Sequence, residues 1–401
     1  MNVPKIRFKE FNDEYKKVKF GDIVNYQKGF AFKSKDYKNS GVRIIRISDT
    51  TNNSIKNDNA IYINKEEAVK HKNVELITDD IMISSVGSKP PLYDSMVGKV
   101  VLIPEFINGS LLNQNAIRFR TKQDNQKYIY NYLKQRKYTR FIENIMRGNA
   151  NQRSITLEDL FEFELNIPSL NEQNKVSKLL SLLNKKIELQ SKKIEDLKLF
   201  KKGLLIKEFN NKKCSNKLKE CFDFGKAGGT PKSTNKDYYN GYIPFLSISD
   251  MTTQGKYIYY TDKSITEAGL NNSTAWLVPK NSIIISMYAS YGLVSINKID
   301  LTTSQAMFNM VINKNYVVEY IYYYLYYLYI SNFYNSIVST GTQSNLNAEQ
   351  IKLLDIYIPC YNEQKRIYEQ FSKIDFKINL EQKKINELLY LKKGLMQNMF
   401  V

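Results

Sequence analysis

Cysteine and histidine are scarce in this chain, three and one respectively in 401 residues, and each scarcity closes off a class of chemistry. Cys214, Cys221 and Cys360 form no C-x-x-C pair and are odd in number, so neither a zinc site nor a disulfide framework is expected, and a reducing, intracellular setting follows. A single histidine, His71, excludes histidine-based triads and multi-histidine metal sites. Its Lys-rich polar surroundings predict an exposed surface residue. Long apolar runs are missing too: Tyr320 to Ile330 is the most apolar stretch, mostly tyrosine and far shorter than the roughly 20 residues that span a bilayer. It reads as a buried helix. Met1 to Glu10 is charged and lacks the apolar run of a secretory signal, so a cytoplasmic protein without membrane contact is expected.

Phosphate-loop and methyl-transfer chemistry are equally unsupported. No G-x-x-x-x-G-K-[ST] occurs, and Gly225 to Gly229 is not followed by a helical pattern. Lys89-Pro90-Pro91-Leu92-Tyr93 puts lysine and leucine where an amino-methyltransferase motif needs a polar acceptor and an aromatic. Asp355 with Glu363 and Lys365 has the residue types of a nuclease metal site, but the matching Glu172-Gln173-Asn174 lacks the lysine. Both glutamates stand where helices begin, where a carboxylate stabilises exposed N–H groups.

What is present is basic charge and repetition. Lys+Arg 59 against Asp+Glu 40 gives a net charge of +19, which points to a polyanionic partner, with nucleotide bias toward Lys, Asn, Ile and Tyr codons as the alternative source of the excess. A hydrophobic fraction of 42% over 401 residues is enough for two or more folded domains. Asn171-Glu172-Gln173 returns as Asn362-Glu363-Gln364, Lys202-Gly203-Leu204 as Lys393-Gly394-Leu395, and Phe209 as Phe400, always 191 residues on. A constant offset over some forty residues is the mark of a rod of fixed length.

The apolar period makes that rod a helix with a coiled-coil seam. In the first copy the seam is Val176, Leu180, Leu183, Ile187, Ile194, Leu197 and Leu204, and in the second Ile367, Phe371, Ile374, Ile378, Ile385, Leu388 and Leu395. Gln190 and Lys201 interrupt the first seam where Glu381 and Lys392 interrupt the second. Antiparallel pairing with residue numbers summing to 582 sets Lys201 against Glu381 and Gln190 against Lys392; the heptad-shifted sum of 575 sets Lys201 against Ile374. The first register is expected because it pairs the polar interruptions.

Before each rod lies a mixed α/β head. In the first, Gly41 to Asp49, Asp80 to Ser85 and Val97 to Ile103 read as strands, Tyr128 to Met146 as a helix, Thr156-x-x-Asp159 as a capping signal and Leu165 to Pro168 as a last strand. Gly241 to Asp250, Ser282 to Met287, Ser304-Gln305-Ala306 and Ile356 to Pro359 repeat the plan. The framework recurs; the loops do not. The expected organisation is α/β (α+β): heads over 1–165 and 211–357, long helices over 166–210 and 358–401, the helices forming an antiparallel coiled coil and the whole a pseudo-two-fold internal repeat.

This order, with Ile167-Pro168 before Asn171-Glu172-Gln173, Ile358-Pro359 before Asn362-Glu363-Gln364, both Lys-Lys-Gly-Leu helix ends, Gly228-Gly229-Thr230-Pro231-Lys232-Ser233 and Val3-Pro4-x-Ile6-Arg7-Phe8, resembles the DNA-specificity subunit of Type I restriction-modification enzymes over essentially the whole chain. The first head departs from that pattern with Lys28-Gly29-Phe30-Ala31-Phe32-Lys33. The resemblance implies two target recognition domains reading a split double-stranded DNA sequence, no catalysis and no cofactor of the chain's own. It also implies two methyltransferase subunits and restriction/translocase subunits as partners, which use S-adenosylmethionine, ATP and Mg. A stand-alone regulatory DNA-binding protein and a protein-only coiled-coil adaptor are the alternatives.

Loops rich in donors are the candidate DNA contacts. They comprise Lys33, Lys35, Lys89, Arg147, Asn149, Asn151, Gln152 and Arg153 in the first head, and Lys226, Thr230, Lys232, Ser233, Tyr288, Tyr291, Gln343 and Ser344 in the second. Arg153 and Lys232 lead that set.

Overall fold

The computed structural model describes residues 3–401 except 52–53, 90–91, 93–94, 150–151, 215, 289 and 339–344. Two compact units divide the chain, one of Met1–Leu189 with Lys384–Val401 and the other of Gln190–Lys383.

In the first unit the strand Ile81–Ser84 is buried on both faces, which is why its sequence is a continuous apolar run rather than an alternation. It lies inside an antiparallel sheet ordered Val24–Lys28, Ala116–Thr121, Ile81–Ser84, Val100–Leu102. Ile81 and Ile83 face a core completed by Tyr128, Tyr132, Val176, Leu180 and Phe400. Met82 faces the opposite side, toward Ile44, Ile45, Val101 and Leu112. The second unit repeats this: Ile283–Ser286 lies within a sheet ordered Phe222–Ala227, Met307–Ile312, Ile283–Ser286, Val294–Asn297, Tyr257–Ile258. Ile283 and Ile285 meet the tyrosine helix Val318–Ile330, and Ile284 turns away toward Met251 and Val278.

Three local expectations are corrected. Gly41 to Asp49 is a strand only over Val42–Ile45. Beyond it the Asp49 carboxylate accepts the Arg46 backbone N–H at 2.9 Å and curls Ile47–Asp49 into a 3-10 turn. Asp250 likewise accepts the Ser247 backbone N–H at 2.8 Å, there opening the α-helix Ile248–Gln254, so the repeated Ile-Ser-Asp is a capping device. Tyr128 to Met146 is two helices, Gln126–Tyr132 and Arg136–Ile145. The extended Gln135 between them turns the second so that Tyr138 and Ile142 are buried while Arg136, Lys137 and Arg140 face solvent.

The long helices run over Leu170–Phe209 and Tyr361–Asn398, 40 and 38 residues. The recurring Glu-Gln explains how each is fixed to its unit. Gln173 accepts the Asn125 N–H at 2.9 Å and donates to the Pro168 carbonyl at 3.0 Å; Gln364 accepts the Val317 N–H at 3.0 Å and donates to the Pro359 carbonyl at 2.9 Å. Each glutamine thus ties the first turn of a long helix to the first turn of the tyrosine-bearing helix and to the strand behind it. The recurring phenylalanine does the same at the other end: Phe400 packs on Tyr128 and Tyr132, Phe209 on Tyr320 and Tyr324. The two glutamates differ. Glu172 is 1% exposed and held by Arg7 and the Tyr15 hydroxyl, whereas Glu363 pairs with its neighbour Arg366 at the surface.

All the seam residues named from the heptad are buried or half-buried. Inside the second unit the helices meet antiparallel, with Leu205 and Phe209 against Ile367 and Phe371. Lys201 pairs with Asp375 at 2.5 Å, and Glu381 with Lys193 at 2.8 Å and with Gln190. Those pairs sum near 575, so the 582 register is overturned. In the first unit Val176 and Leu180 meet Leu395, Met396 and Met399, which agrees. The physical reason is that polar seam residues reach neighbours a turn away on the partner helix and need not face one another.

Candidate nucleic-acid interface

In each unit the loops named above gather at one end of the central sheet. The turn after Leu112 is the hub. Phe30 donates its backbone N–H to Leu112 and accepts from Gln114, Asn115 accepts from Ser85, and Ser85 accepts from Ile155, at 3.0, 2.9, 2.8 and 3.0 Å. This ladder brings the segment bearing Lys33 and Lys35, the exposed Gln114 and the segments around Lys89 and Arg153 to one edge. The second unit builds the same ladder: Gly229 donates to Thr303, Met287 to Ala306 and Leu346 to Met287, at 2.9, 2.8 and 3.0 Å.

The ladder aligns Gly29-Phe30-Ala31-Phe32-Lys33-Ser34 with Gly228-Gly229-Thr230-Pro231-Lys232-Ser233, which makes the departure of the first head a variation on the same loop. Glycine is required at its start: a Cβ on Gly29 would lie 1.9 Å from the Asn113 carbonyl oxygen, and one on Gly228 would lie 2.1 Å from Thr303 Oγ1. Lys33 and Lys232 therefore hold equivalent, exposed positions. Lys35, Thr230 and Ser233 are exposed beside them, the Thr230 hydroxyl bonded to the side chain of Gln305.

On the far side of the hub, Arg147–Asn149 and Gln152–Ser154 form a hairpin whose second strand pairs with Val86–Gly87. Arg153 stands opposite Gly87, its Nε buried without a hydrogen-bond acceptor among the described residues. Arg147 is exposed but held by Asp159 at 2.8 Å, and Gln152 and Lys89 are exposed. In the second unit Tyr288 is exposed and the Tyr291 hydroxyl donates to Asn335 at 2.8 Å. Lys226 is exposed on the edge strand Phe222–Ala227. Asn151, Gln343 and Ser344 lie outside the described residues, as does the side chain of Asn149.

Two residues were missed. Gln114 and Gln305 stand exposed at the tip of the hub in their respective units, each with an amide that can donate and accept at once. The signal was present in Asn113-Gln114-Asn115 and Ser304-Gln305-Ala306, which repeat at the common offset. His71 is also corrected: it is 15% exposed, stacked on Phe30 with ring centroids 4.0 Å apart, edge-on to Phe32, and 3.3 Å from Glu67. The lysine-rich sequence around it concealed an aromatic partner some forty residues away.

The family model described as the Type I restriction modification DNA specificity domain matches residues 12–199 and again 211–390. The chain therefore belongs to that family. It is 31% identical over 176 residues to the MjaIX specificity subunit of Methanocaldococcus jannaschii and 28% over 178 residues to the HindI specificity subunit of Haemophilus influenzae. Those matches take in 43% of this chain and only 40% and 38% of the relatives' lengths. With the putative MjaX specificity subunit of M. jannaschii the likeness is 23% and covers 98% of this chain and 95% of that one. In fold the chain is similar to the crystal structure of the Type I restriction-modification S subunit from M. genitalium, with TM-score 0.60, 17% identity, and coverage of 100% of this chain and 99% of that one. A structure from a study of complex assembly in the type I system gives TM-score 0.60 at 15% identity and 98% coverage of both. The relatives are named specificity subunits of their enzymes. Among the described residues no helix is long and apolar enough to cross a membrane.

Proposed function

We propose that this protein is the non-catalytic, sequence-reading subunit of a Type I restriction-modification enzyme, binding a split double-stranded DNA target with heads at 1–165 and 211–357. One observation carries the reading: a single backbone ladder is built twice and presents different donors each time. Phosphates would be met by Lys33, Lys35 and Lys232 and base edges by Gln114, Gln305 and the Arg153 hairpin. Unlike loops on like frameworks favour unlike half-sites.

Docking of two methyltransferase subunits is supported by the outer faces of the long helices, whose exposed apolar residues recur at the repeat offset. Leu189 matches Leu380, Leu199 matches Tyr390 and Phe200 matches Leu391, each more than one-third exposed. Two equal partners would use two equal faces. Adenine methylation from S-adenosylmethionine and ATP-driven cleavage would then belong to the partner subunits.

The test is co-expression with a methyltransferase subunit of a Type I system and long-read methylation mapping. A bipartite methylated motif that changes at one half when Gln305→Ala is introduced supports the reading. A complex without methylation specificity, or binding to duplex DNA with no dependence on salt, defeats it.

A further inference from the structure

The loop that opens the first head carries an aromatic ring that the framework does not require. The backbone ladder aligns Phe30 with Gly229. In the second unit a Cβ on Gly229 would lie 2.3 Å from the Ala275 backbone nitrogen, so that loop has no room for a side chain at this point. The first unit makes room for a phenylalanine and leaves it 42% exposed.

A lone apolar side chain in water is ordinary. Phe30 differs because it is held from several directions. Its backbone N–H donates to Leu112 at 3.0 Å, and its carbonyl accepts from Gln114 at 2.9 Å. Its ring lies against His71 with centroids 4.0 Å apart, and Phe32, itself buried in the core, meets it edge-on at 5.0 Å. His71 is in turn 3.3 Å from Glu67. Aromatic contacts of this kind fix a ring's position as well as covering its area. The part of the ring left open shares the wall of a cavity of about 460 Å³ with the exposed Lys33 and Lys35.

We propose that the first head reads an A·T base pair in the major groove, with Gln114 on the adenine and Phe30 against the 5-methyl group of thymine in that pair or the next. The inference rests on the DNA reading given above and adds a base to it. A glutamine amide can bond adenine N6 and N7 together, and an apolar ring complements the thymine methyl. The hydrogen bond between the Phe30 carbonyl and the Gln114 N–H keeps the two reading residues side by side. Lys33 and Lys35 next to them suit the flanking phosphates. In the second head Gln305 is bonded to the Thr230 hydroxyl and Gly229 supplies no ring, so this loop offers an amide without the apolar partner.

Competition binding tests it, using the full chain in the complex whose methylated motif is mapped as above. Each thymine of the motif, on either strand, is replaced in turn by deoxyuridine, which keeps the pairing and removes only the 5-methyl group. The half of the motif that survives Gln305→Ala belongs to the first head. One replacement in that half should weaken binding about fourfold, the worth of a single methyl group in an apolar contact. Phe30→Ala should bind the thymine and deoxyuridine duplexes equally, and Phe30→Leu, which keeps an apolar face, should still prefer thymine. A first half without an A·T pair, indifference of the natural chain to every replacement there, or a thymine preference undiminished in Phe30→Ala overturns the proposal. The measurements on the natural chain do not depend on how the variants fold. Sequence preference kept alongside that indifference leaves the DNA reading standing, whereas a natural chain with no sequence preference removes both.

Discussion

Arg7 grips the carboxylate of Glu172 through two hydrogen bonds of 2.9 and 2.8 Å, although the two residues are 165 positions apart. Glu172 is 1% exposed, with Tyr15 at 3.0 Å as its further partner, so the N-terminal segment is fastened to the first turn of a long helix. Arg7→Ala strands a buried carboxylate, and a loss of roughly 3 kcal/mol is expected, read by chemical denaturation. Arg7→Met with Glu172→Met should lose much less than the single change.

The hub glutamines give the sharpest specificity prediction. Gln305→Ala removes an exposed amide and should cost about 1–3 kcal/mol for one half of the target only, with an unchanged melting temperature. Gln114→Ala should do the same for the other half. Binding measured with each half-site scrambled in turn separates these outcomes from a general loss of affinity.

Gly203 and Gly394 sit inside helices with nothing within 4 Å of where a Cβ would lie, so neither is needed for close packing in the chain itself. Replacing either by alanine should stabilise the isolated protein by about 0.5–1 kcal/mol. If a partner helix lies over these positions, the same changes weaken its docking, and pull-down of the methyltransferase by the double variant measures it.

Buried lysines set the alkaline behaviour. Lys134 and Lys256 are both pushed down to about 8, mainly by burial. A lysine depressed in the folded state binds its proton more weakly there than in the unfolded chain, so stability should rise as pH climbs from about 8 toward 9.5. The tyrosines of Val318–Ile330, raised by burial, reverse the trend above about 10. Melts of Lys134→Met and Lys256→Met across this range should each show a shallower rise.

Much of the fold was legible because its causes are local or periodic. Ile81–Ser84 and Ile283–Ser286 announced themselves as apolar runs, and the long helices as heptads with a shared offset. Register was not legible, since Lys193, outside the seam, satisfies Glu381 within it. His71 was misjudged for a similar reason: its partners Phe30 and Phe32 arrive from a distant loop. Of the candidate interface, the lysines and the arginine hairpin were named from composition, but their convergence depends on backbone hydrogen bonds through Asn113 to Ala116, which no side-chain pattern records.

The paired glutamine ties bear on inheritance. Gln364 holds a backbone N–H and a backbone carbonyl, not side chains, so its joint makes no demand on what the attached sheet carries at its other end, whereas Gln173 also donates to the Asp124 carboxylate at 2.8 Å. Genetic exchange that crosses over within the codons of Asn362-Glu363-Gln364 can replace the head before it and keep this glutamine tie, whereas a head exchanged at Asn171-Glu172-Gln173 must also bring the equivalents of Arg7, Tyr15 and Asp124. The second joint should therefore tolerate an exchanged head with fewer matched residues than the first.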